Sequence, residues 1–427
     1  MPATIGPSRW PASAACAFRS SDETRRRRLP QVRSGIHSRE DPRRRSAAED
    51  AEIKMSVTEV PRPDLEEALS RRARSGPPLL LSGPPGAGKT TLLLGLRQVL
   101  AAEGWLPVYL DLMGAASSPD RFVLAALDVL PAEPLAARLA EATRIRTLAG
   151  AGRGRSGEAV RALFALWSSL EAASGRPVAL LLDEATEIRS LAYFPELREV
   201  AKALGQALAT RRRGTILATS FPTLARGFWP GLEALEARPL TAADLLSVPG
   251  LDHGSAEELV RLTFGWPRYL RTFLERSPGS GRLEAWTEEM APGGRLESAC
   301  RHTYESLLLR SRGYGISKAA LQAVAREEGL NLTALVARLG RTPGATRDYL
   351  QWLVGVDALR MVKKRYSYVD GLLRVWVRLH GRGAPPTGAE IENAGRALLR
   401  REPPAEPASE ARMEDSGPRR DSLIEID

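Results

Sequence analysis

The sequence predicts an α/β fold, in which a doubly wound parallel sheet is followed by a purely helical region and a small helical unit that ends in a hairpin. Three observations predict it. Short apolar runs alternate with helical patterns between residues 77 and 240, as in a parallel sheet with helices on both faces. One run, RPVALLLDEATEI, is continuously apolar, which is typical of a strand buried on both faces. From Thr241 to about Arg312 only helical patterns occur.

The elements of the sheet domain follow in chain order. PPLLLSG predicts the first strand, and KTTLLLGLRQVLAAEG predicts the next helix, which Gly104 closes. WLPVYLDL predicts the second strand, and helical patterns cover about Pro119 to Leu130 and Glu158 to Ala173. The third strand is RPVALLLDEATEI, the fourth is GTILATS after a further helix, and EARPL is the expected fifth.

Both ends of the chain are predicted to be disordered. Residues 1–54 combine arginine runs, Ser and Pro with no apolar periodicity, and an alternative interpretation is that translation begins at Met55. Residues 381–427 are Pro-rich and charged, with a short helical patch near Ala394 to Arg401, and are interpreted as a tail.

Composition narrows the class of protein. The 427 residues suffice for two or three domains, and no apolar run is long enough for a membrane span. Cys16 and Cys300 lie far apart, and the four histidines are scattered. This pattern argues against a disulfide framework or a zinc site and fits a reducing cytosol, so we expect a cytoplasmic location.

The formal net charge of +10 is weak evidence for nucleic acid as a partner. Residues 1–50 carry eleven arginines against six acidic residues, which is about half of the excess. Of the 61 basic residues 55 are arginine, as a GC-rich coding sequence would give without any function. The position of the charge along the chain therefore matters more than its total.

The stretch GPPGAGKTT, residues 83–91, has the full P-loop spacing and lies between a strand and a helix. Its glycines let backbone amides turn toward phosphate oxygens, and the helix N-terminus adds partial positive charge. We expect Lys89 to reach the β- and γ-phosphates of ATP and the Thr90 hydroxyl to ligate Mg²⁺. The predicted nucleotide-binding residues are Gly83, Pro84, Pro85, Gly86, Ala87, Gly88, Lys89, Thr90 and Thr91.

Asp183 and Glu184 end the third predicted strand, where ligands bind in open α/β sheets. We expect Asp183 to hold Mg²⁺ and Glu184 to polarise the attacking water. The alternative is that both side chains only cap the strand.

Thr219 or Ser220, which end the fourth strand, are expected to bond the γ-phosphate or the water, although such residues are often only turn formers. Thr219 is the assigned catalytic candidate. Arg226 follows in a loop and is a weaker candidate to reach the nucleotide of a neighbouring subunit. The alternative for Arg226 is a solvated arginine.

The motifs GPPGAGKTTLL and LLLDEATEI, with ILATS and ARPLTAADL, resemble those of AAA+ and STAND-type P-loop ATPases, above all the archaeal-type ATPase family. LTFGWPRYLRTFL resembles the family's lid motif, and the resemblance implies that Arg268 senses the γ-phosphate from the lid. RYSYVDGLLRVWVR resembles the family's ending, but Asp370-Gly371 stands in place of Asp-Pro.

The resemblance covers roughly residues 60 to 380. It implies an ATPase core over 55–240, a helical lid over 241–312 and a winged helix over 313–380, with ATP and Mg²⁺ as cofactors. A long insertion of about Ala132 to Gly157, including the basic loop GAGRGRSGE, departs from the family pattern.

The C-terminal unit also reads as a winged helix-turn-helix by itself. A helix, a turn at Pro343-Gly344, a second helix and a hairpin follow one another. Gly313 to Arg378 contains eleven basic against five acidic residues, so the charge excess is local. The exposed residues are expected to be Thr346, Arg347 and Gln351 on the recognition helix and Lys363, Lys364 and Arg365 on the wing. DNA is one candidate partner; a protein partner or self-association is the other.

These observations favour an ATPase that uses hydrolysis to drive a conformational switch. A DNA-binding regulator with ATP as a structural ligand is the alternative. A small-molecule kinase is a further one, but it should have an acceptor pocket in place of the winged helix.

Overall fold

The computed structural model describes residues 60–130, 136, 138–151, 155–209, 213–275 and 281–400. The predictions for residues 1–54, for Cys16 and for the end of the tail beyond residue 400 lie outside this range. Within the described residues, no helix has the length and apolarity needed to cross a bilayer.

A five-stranded parallel sheet lies at the centre of the core, in the order β2-β3-β4-β1-β5. This confirms the predicted fold class. The strands are β1 (Leu79–Ser82), β2 (Leu106–Asp111), β3 (Val178–Asp183), β4 (Thr215–Thr219) and β5 (Glu233–Glu236). Every residue of β1, β3 and β4 is buried, which explains their continuous apolar runs.

The edge strand β5 begins three residues before the predicted EARPL run. Glu233 and Glu236 are exposed because the strand has a neighbour on one side only. Its residues therefore carry no apolar run by which a sequence pattern could locate it.

Helices cover both faces of the sheet. Leu79 and Leu81 of β1 belong to one apolar cluster and Leu80 to the other, as the two-residue period of a strand requires. The core helices are α1 (Pro63–Ser75), α2 (Lys89–Ala102), α3 (Leu112–Ala115), α4 (Pro119–Asp128), α5 (Leu139–Gly150), α6 (Ser156–Ser174), α7 (Arg198–Ala209) and α8 (Pro222–Phe228). Two 3₁₀ segments, Ala185–Tyr193 and Pro195–Leu197, follow β3.

The insertion between β2 and β3 contains the helix α5. Ile145 and Leu148 of α5 are buried in the apolar cluster that also contains residues of α4 and α6. The described part of the insertion is therefore built into the core, while residues 152–154 of its basic loop lie outside the described range.

In the next region, the described residues between 242 and 310 form helices and no strand, as predicted. The helices are α9 (Ala242–Leu245), α10 (His253–Thr263), α11 (Pro267–Leu274), α12 (Arg282–Met290) and α13 (Arg295–Arg310). We call α9 to α13 the lid. Cys300 of α13 is buried as a free thiol.

The C-terminal unit consists of α14 (Tyr314–Arg326), β6 (Leu330–Asn331), α15 (Leu332–Leu339), α16 (Pro343–Gly355), β7 (Leu359–Val362), β8 (Arg365–Tyr368) and α17 (Gly371–His380). Its three strands pair antiparallel in the order β6-β8-β7. This helix, strand, helix, helix, hairpin order is the one a winged helix has; the domain assignment itself stays a prediction.

Thr346 is not on the exposed face of α16, contrary to the sequence prediction. It is fully buried, whereas Arg347 and Gln351 are exposed. The reason is helical geometry: Thr346 shares a face with Leu350 and Leu353, four and seven residues further along, and both are buried.

The tail prediction is wrong for the residues just after 386. Gly388–Leu399 form a helix, α18, which a capping box of Thr387 and Glu390 starts. Ile391 and Leu398 are buried, and Gly395 packs against the ring of Trp286 in α12. The helix is thus part of the lid's packing.

Candidate functional site

The loop between β1 and α2 brings its backbone around the side chain of Lys89. Gly86 and Gly88 both have φ of 86°, a left-handed conformation that favours glycine. The Lys89 ammonium donates to the carbonyls of Gly83 at 2.9 Å and Pro84 at 3.1 Å. Burial lowers the pKa of Lys89, and nearby Glu184 and Asp183 oppose that shift.

Asp183 lies at the tip of β3, directly beside the P-loop helix. The Thr90 hydroxyl donates to Asp183 Oδ2 at 2.6 Å, and the Tyr109 hydroxyl donates to the same oxygen at 3.1 Å. Hydroxyl and carboxylate oxygens suit Mg²⁺, which proteins commonly hold by one or two carboxylates together with substrate phosphates. Thr90 and Asp183 therefore fit the expected metal.

Glu184 reaches across the tips of β3 and β4. Its φ of 47° is left-handed, an uncommon conformation for a residue with a side chain, and it turns the chain sharply after the strand. Its carboxylate lies 4.0 Å from Lys89 Nζ and accepts from the Ser220 amide at 2.9 Å and from the Ser220 hydroxyl. Burial raises the pKa of Glu184, against the effect of Lys89.

Ser220, and not Thr219, completes this cluster. Thr219 is fully buried; its hydroxyl lies 3.1 Å from that of Thr186 and accepts from the Phe221 amide. Ser220 instead accepts from Lys89 Nζ at 2.9 Å and lines the cavity. The assignment of Thr219 as the catalytic candidate is therefore corrected to Ser220.

The lid contributes Arg268, which lies directly over the P-loop. The Arg268 amide donates to the Gly86 carbonyl at 3.2 Å, and a Cβ at Gly86 would come within 2.5 Å of Arg268 Cβ. The guanidinium donates to the hydroxyl of Thr303 in α13. Arg268 thus lines the cavity, as expected, and is held by a second lid helix.

Arg62 also lines the cavity, although it is not among the residues that the motifs predict. Its guanidinium donates to the Ala87 carbonyl at 3.0 Å, while its Nη2 atom is buried without a hydrogen-bond partner among the described residues. Burial, and after it the charge of Arg238, lowers the pKa of Arg62 to about 10. Nothing in the stretch VPRPD distinguishes this arginine from the many others in the chain.

A cavity of about 1550 Å³ connects these groups between the core and the lid. It is lined by the P-loop residues Pro85, Gly86, Gly88, Lys89, Thr90 and Thr91, by Glu184, Glu187 and Ser220, and by lid residues that include Arg268, Arg271, His302, Thr303, Ser306 and Arg310. The remaining predicted binding residues stand behind this lining: Gly83 and Pro84 through carbonyls that face Lys89, and Ala87 fully buried.

Two further predictions can be compared with the structure. Arg226 is exposed on α8 and is absent from the lining of the nucleotide cavity; its charge acts on Asp357 of the C-terminal unit. Across the described ranges, no group of three or more His, Cys, Asp or Glu residues is arranged to hold a metal ion.

Comparisons with known proteins agree with this geometry. Residues 62–223 match the AAA ATPase domain family. Curated protein sequences give no match.

Among solved structures, the Walker-type ATPase of Pyrococcus abyssi shares 16% identity at a TM-score of 0.55, over 75% of this chain and 96% of that one. Cdc6p of Pyrobaculum aerophilum has 15% identity, a TM-score of 0.35 and coverage of 81% and 98%. RuvB, the Holliday junction branch migration motor of Thermotoga maritima, has 16% identity and a TM-score of 0.31, over 75% of this chain and 92% of that one.

The first of these structures is similar enough to indicate a shared fold, and the other two carry no weight in the argument. The match of residues 62–223 covers the P-loop, both acidic residues and the end of β4. The resemblance found from the motifs is therefore confirmed for the core: residues 62–223 match the AAA ATPase domain family, and the fold is similar to that of a Walker-type ATPase.

Proposed function

We propose that this protein hydrolyses ATP and uses the reaction to drive a conformational switch. The observation that carries the proposal is the meeting of Lys89, Asp183, Glu184 and Ser220 at one sheet edge, with Glu184 4.0 Å from Lys89 and Thr90 2.6 Å from Asp183. Hydrolysis of a nucleoside triphosphate needs a lysine, a metal-ligating pair and a base, held together at the tips of adjacent strands.

Each residue has one role in the proposed reaction. The oxygen of a water bonds to the γ-phosphorus while the bond from that phosphorus to the β–γ bridging oxygen breaks. Glu184 accepts a proton of the water, and its raised pKa makes it a better base. Lys89 neutralises charge on the β- and γ-phosphates, and Ser220 orients Glu184. Thr90 and Asp183 would hold Mg²⁺, which would neutralise charge at the phosphates.

Two routes of direct contact support a link from the site to the C-terminal unit. Beside Arg268, Tyr269 donates to the buried Asp370 carboxylate at 2.6 Å, and Asp370 caps α17. Beyond Ser220, the Thr223 amide and hydroxyl donate to Asp357 at 3.1 and 2.6 Å. We therefore expect a change at the tip of β4 or in the lid to reach the C-terminal unit through these contacts.

The Glu184→Gln variant tests the proposal. The amide keeps the shape of the side chain but cannot accept the proton, so ATP should bind normally while hydrolysis falls by about 100-fold or more. Labelled-nucleotide binding and phosphate release measure the two effects. Lys89→Ala is the control and should lose nucleotide binding. Wild-type protein that binds ATP but releases no phosphate would contradict the proposal.

A second candidate is a DNA-binding regulator in which ATP is only a structural ligand. It is supported by the exposed Arg347 and Gln351 on α16 and by Lys363 and Lys364 at the tip of the β7–β8 hairpin. Duplex-DNA binding in ATP, in ADP and in Glu184→Gln separates the candidates. A switch predicts different affinities in the two nucleotides; a structural ligand predicts equal ones. If no salt-sensitive binding occurs, this surface is assigned to a protein partner or to self-association.

A further inference from the structure

We propose that Arg310, at the end of lid helix α13, contacts the γ-phosphate of ATP bound in the same chain, as a second lid arginine besides Arg268, and so helps the lid to distinguish ATP from ADP. The inference rests on the proposed function, because it assigns a role at that same site. Arg226 is the arginine expected from the sequence to reach the nucleotide of a neighbouring subunit. Arg310 would instead provide an arginine to the nucleotide of its own chain.

Arg310 belongs to the lid but its side chain contacts the core. Its guanidinium lines the same cavity as Lys89, Glu184 and Ser220. Nη1 donates to Glu187 Oε1 at 2.6 Å, and the guanidinium carbon lies 4.8 Å from the centre of the Phe221 ring. The side chain is 31% exposed, so it is neither locked in the interior nor free in solvent.

Two of the three contacts of Arg310 come from the two segments that carry the proposed reaction; the third is a hydrogen bond from Nη2 to Met113 Sδ at 3.3 Å. Glu187 lies one turn beyond Glu184, and its amide donates to the Glu184 carbonyl at 2.9 Å. Phe221 directly follows Ser220. Arg310 therefore contacts the segments that follow both strand tips, and it lines the same cavity as the P-loop residues.

The same helix covers this side of the cavity with further polar groups. His302, Thr303 and Ser306 of α13 line it, and Thr303 accepts from Arg268. The lid thus presents three arginines to the nucleotide cavity: Arg268 over the P-loop, Arg271 one turn further along α11, and Arg310 beside the strand tips.

Energetics allow Arg310 to change partners. A partly exposed ion pair such as Arg310–Glu187 contributes little to stability, because water screens the two charges. A bidentate hydrogen bond from a guanidinium to a phosphate is stronger, because both partners are charged and their geometries match. ATP would therefore draw Arg310 from Glu187, whereas ADP lacks the phosphate that could do so. Because Arg310 ends α13, its movement shifts the start of the C-terminal unit at Tyr314.

Equilibrium binding of a non-hydrolysable ATP analogue and of ADP tests the contact without depending on hydrolysis. In Arg310→Ala we expect affinity for the analogue to fall about tenfold and affinity for ADP to stay unchanged. The control is Arg301→Ala on the same helix, where an arginine paired with Glu297 is absent from the cavity lining. Equal losses for both nucleotides, or none, would overturn the proposal.

The Glu187→Gln variant distinguishes a purely structural role of the Arg310–Glu187 ion pair from a contact of Arg310 with the γ-phosphate. If Arg310 only clamps Glu187, both variants should behave alike. If it serves the γ-phosphate, Glu187→Gln should bind the ATP analogue as well as wild type or up to about fivefold better, because the competing carboxylate is gone. Provided that the wild-type protein hydrolyses ATP, Arg310→Ala should lower kcat about 100-fold. Arg310→Lys should recover the binding of the analogue to a larger extent than it recovers kcat.

Mixing variants decides between contact within a chain and contact between chains. Lys89→Ala chains lack nucleotide binding but carry Arg310, and Arg310→Ala chains have the opposite defect. An arginine acting between chains would restore hydrolysis in the mixture, which would refute the assignment in cis. We expect no restoration. If the wild-type protein did not hydrolyse ATP, the proposed function would be contradicted. The binding of the ATP analogue and of ADP would still test the role of Arg310.

Discussion

Ser220 and Thr219 are neighbours with opposite surroundings. Thr219 is the last residue of β4, and its hydroxyl is fully buried between Thr186 and the Phe221 amide. Ser220 is one position further, turned to the cavity and in contact with both Lys89 and Glu184. Because side chains alternate along an extended chain, only one of two adjacent residues can face the nucleotide.

This difference predicts separate effects for two conservative variants. Ser220→Ala should lower the hydrolysis rate about tenfold or more with little change in stability, because it frees Glu184 and Lys89 from their shared partner. Thr219→Val should leave the rate close to wild type but lower the free energy of unfolding by about 1–3 kcal/mol, because it leaves buried polar partners unpaired. Steady-state kinetics and urea unfolding measure both. The reverse pattern would restore Thr219 as the catalytic candidate.

Helix α8 connects the tip of β4 to the C-terminal unit. It begins two residues after Ser220, and its Thr223 holds Asp357, which follows α16 and has a φ of 54°. Burial raises the pKa of Asp357 to about 6, although the hydrogen bonds from Thr223 and the charge of Arg226 work in the other direction. The contact between the core and the C-terminal unit therefore includes a carboxyl that titrates close to neutral pH.

The sign of this shift predicts a pH dependence. In the unfolded chain Asp357 should titrate near pH 4, so the folded protein holds its proton over a wider range than the unfolded one. The stability that this group contributes is complete below about pH 4 and is lost as the pH rises through about 6. The side chain of Asp357→Asn cannot titrate. The free energy of unfolding of this variant, relative to that of the wild type, should therefore rise by about 1–3 kcal/mol between pH 4 and 7.

Urea unfolding of both proteins at several pH values measures this difference. Thr223→Val keeps the carboxyl and serves as the control, which should retain a pH dependence between pH 4 and 7. Parallel curves for wild type and Asp357→Asn would show that Asp357 does not titrate in this interval.

Core, lid and C-terminal unit are joined by contacts between residues distant in the chain. Tyr269 of the lid bonds Asp370, and Gly371 lies so close to Phe264 that a Cβ there would overlap its ring. Glycine fits after Asp370 because it has no Cβ to overlap that ring. Helix α18 then returns to the lid and packs on α12 and α10.

The position of α18 predicts how far the chain can be shortened. Deleting residues 401–427 keeps α18 whole and serves as the reference for a longer deletion. Deleting 388–427 should destabilise the protein by roughly 3–5 kcal/mol, because it removes buried Ile391 and Leu398 and exposes the ring of Trp286. Thermal unfolding with and without nucleotide compares the two deletions. Equal melting temperatures would mean that α18 adds nothing to the lid.

The sequence by itself determined the sheet, the P-loop and the acidic pair, because these features depend on neighbours in the chain. Continuous apolar runs are the mark of buried parallel strands, and the spacing from Gly83 to Thr90 is a local requirement of the phosphate loop. Burial of β1, β3 and β4 follows from those runs. The edge strand β5 was misplaced because its exposed residues leave no such mark.

Only the tertiary structure decided which other groups meet at the site. Arg62 and Arg310 are two arginines among 55, and what sets them apart is their contact with Ala87 and Glu187, 25 and 123 residues away in the chain. The choice of Ser220 over Thr219 depends on which side of β4 faces the cavity, and the packing of α18 depends on a partner surface about 100 residues earlier. Local patterns encode the propensity and burial of an element, whereas contacts between distant residues arise only when the packed elements bring them together.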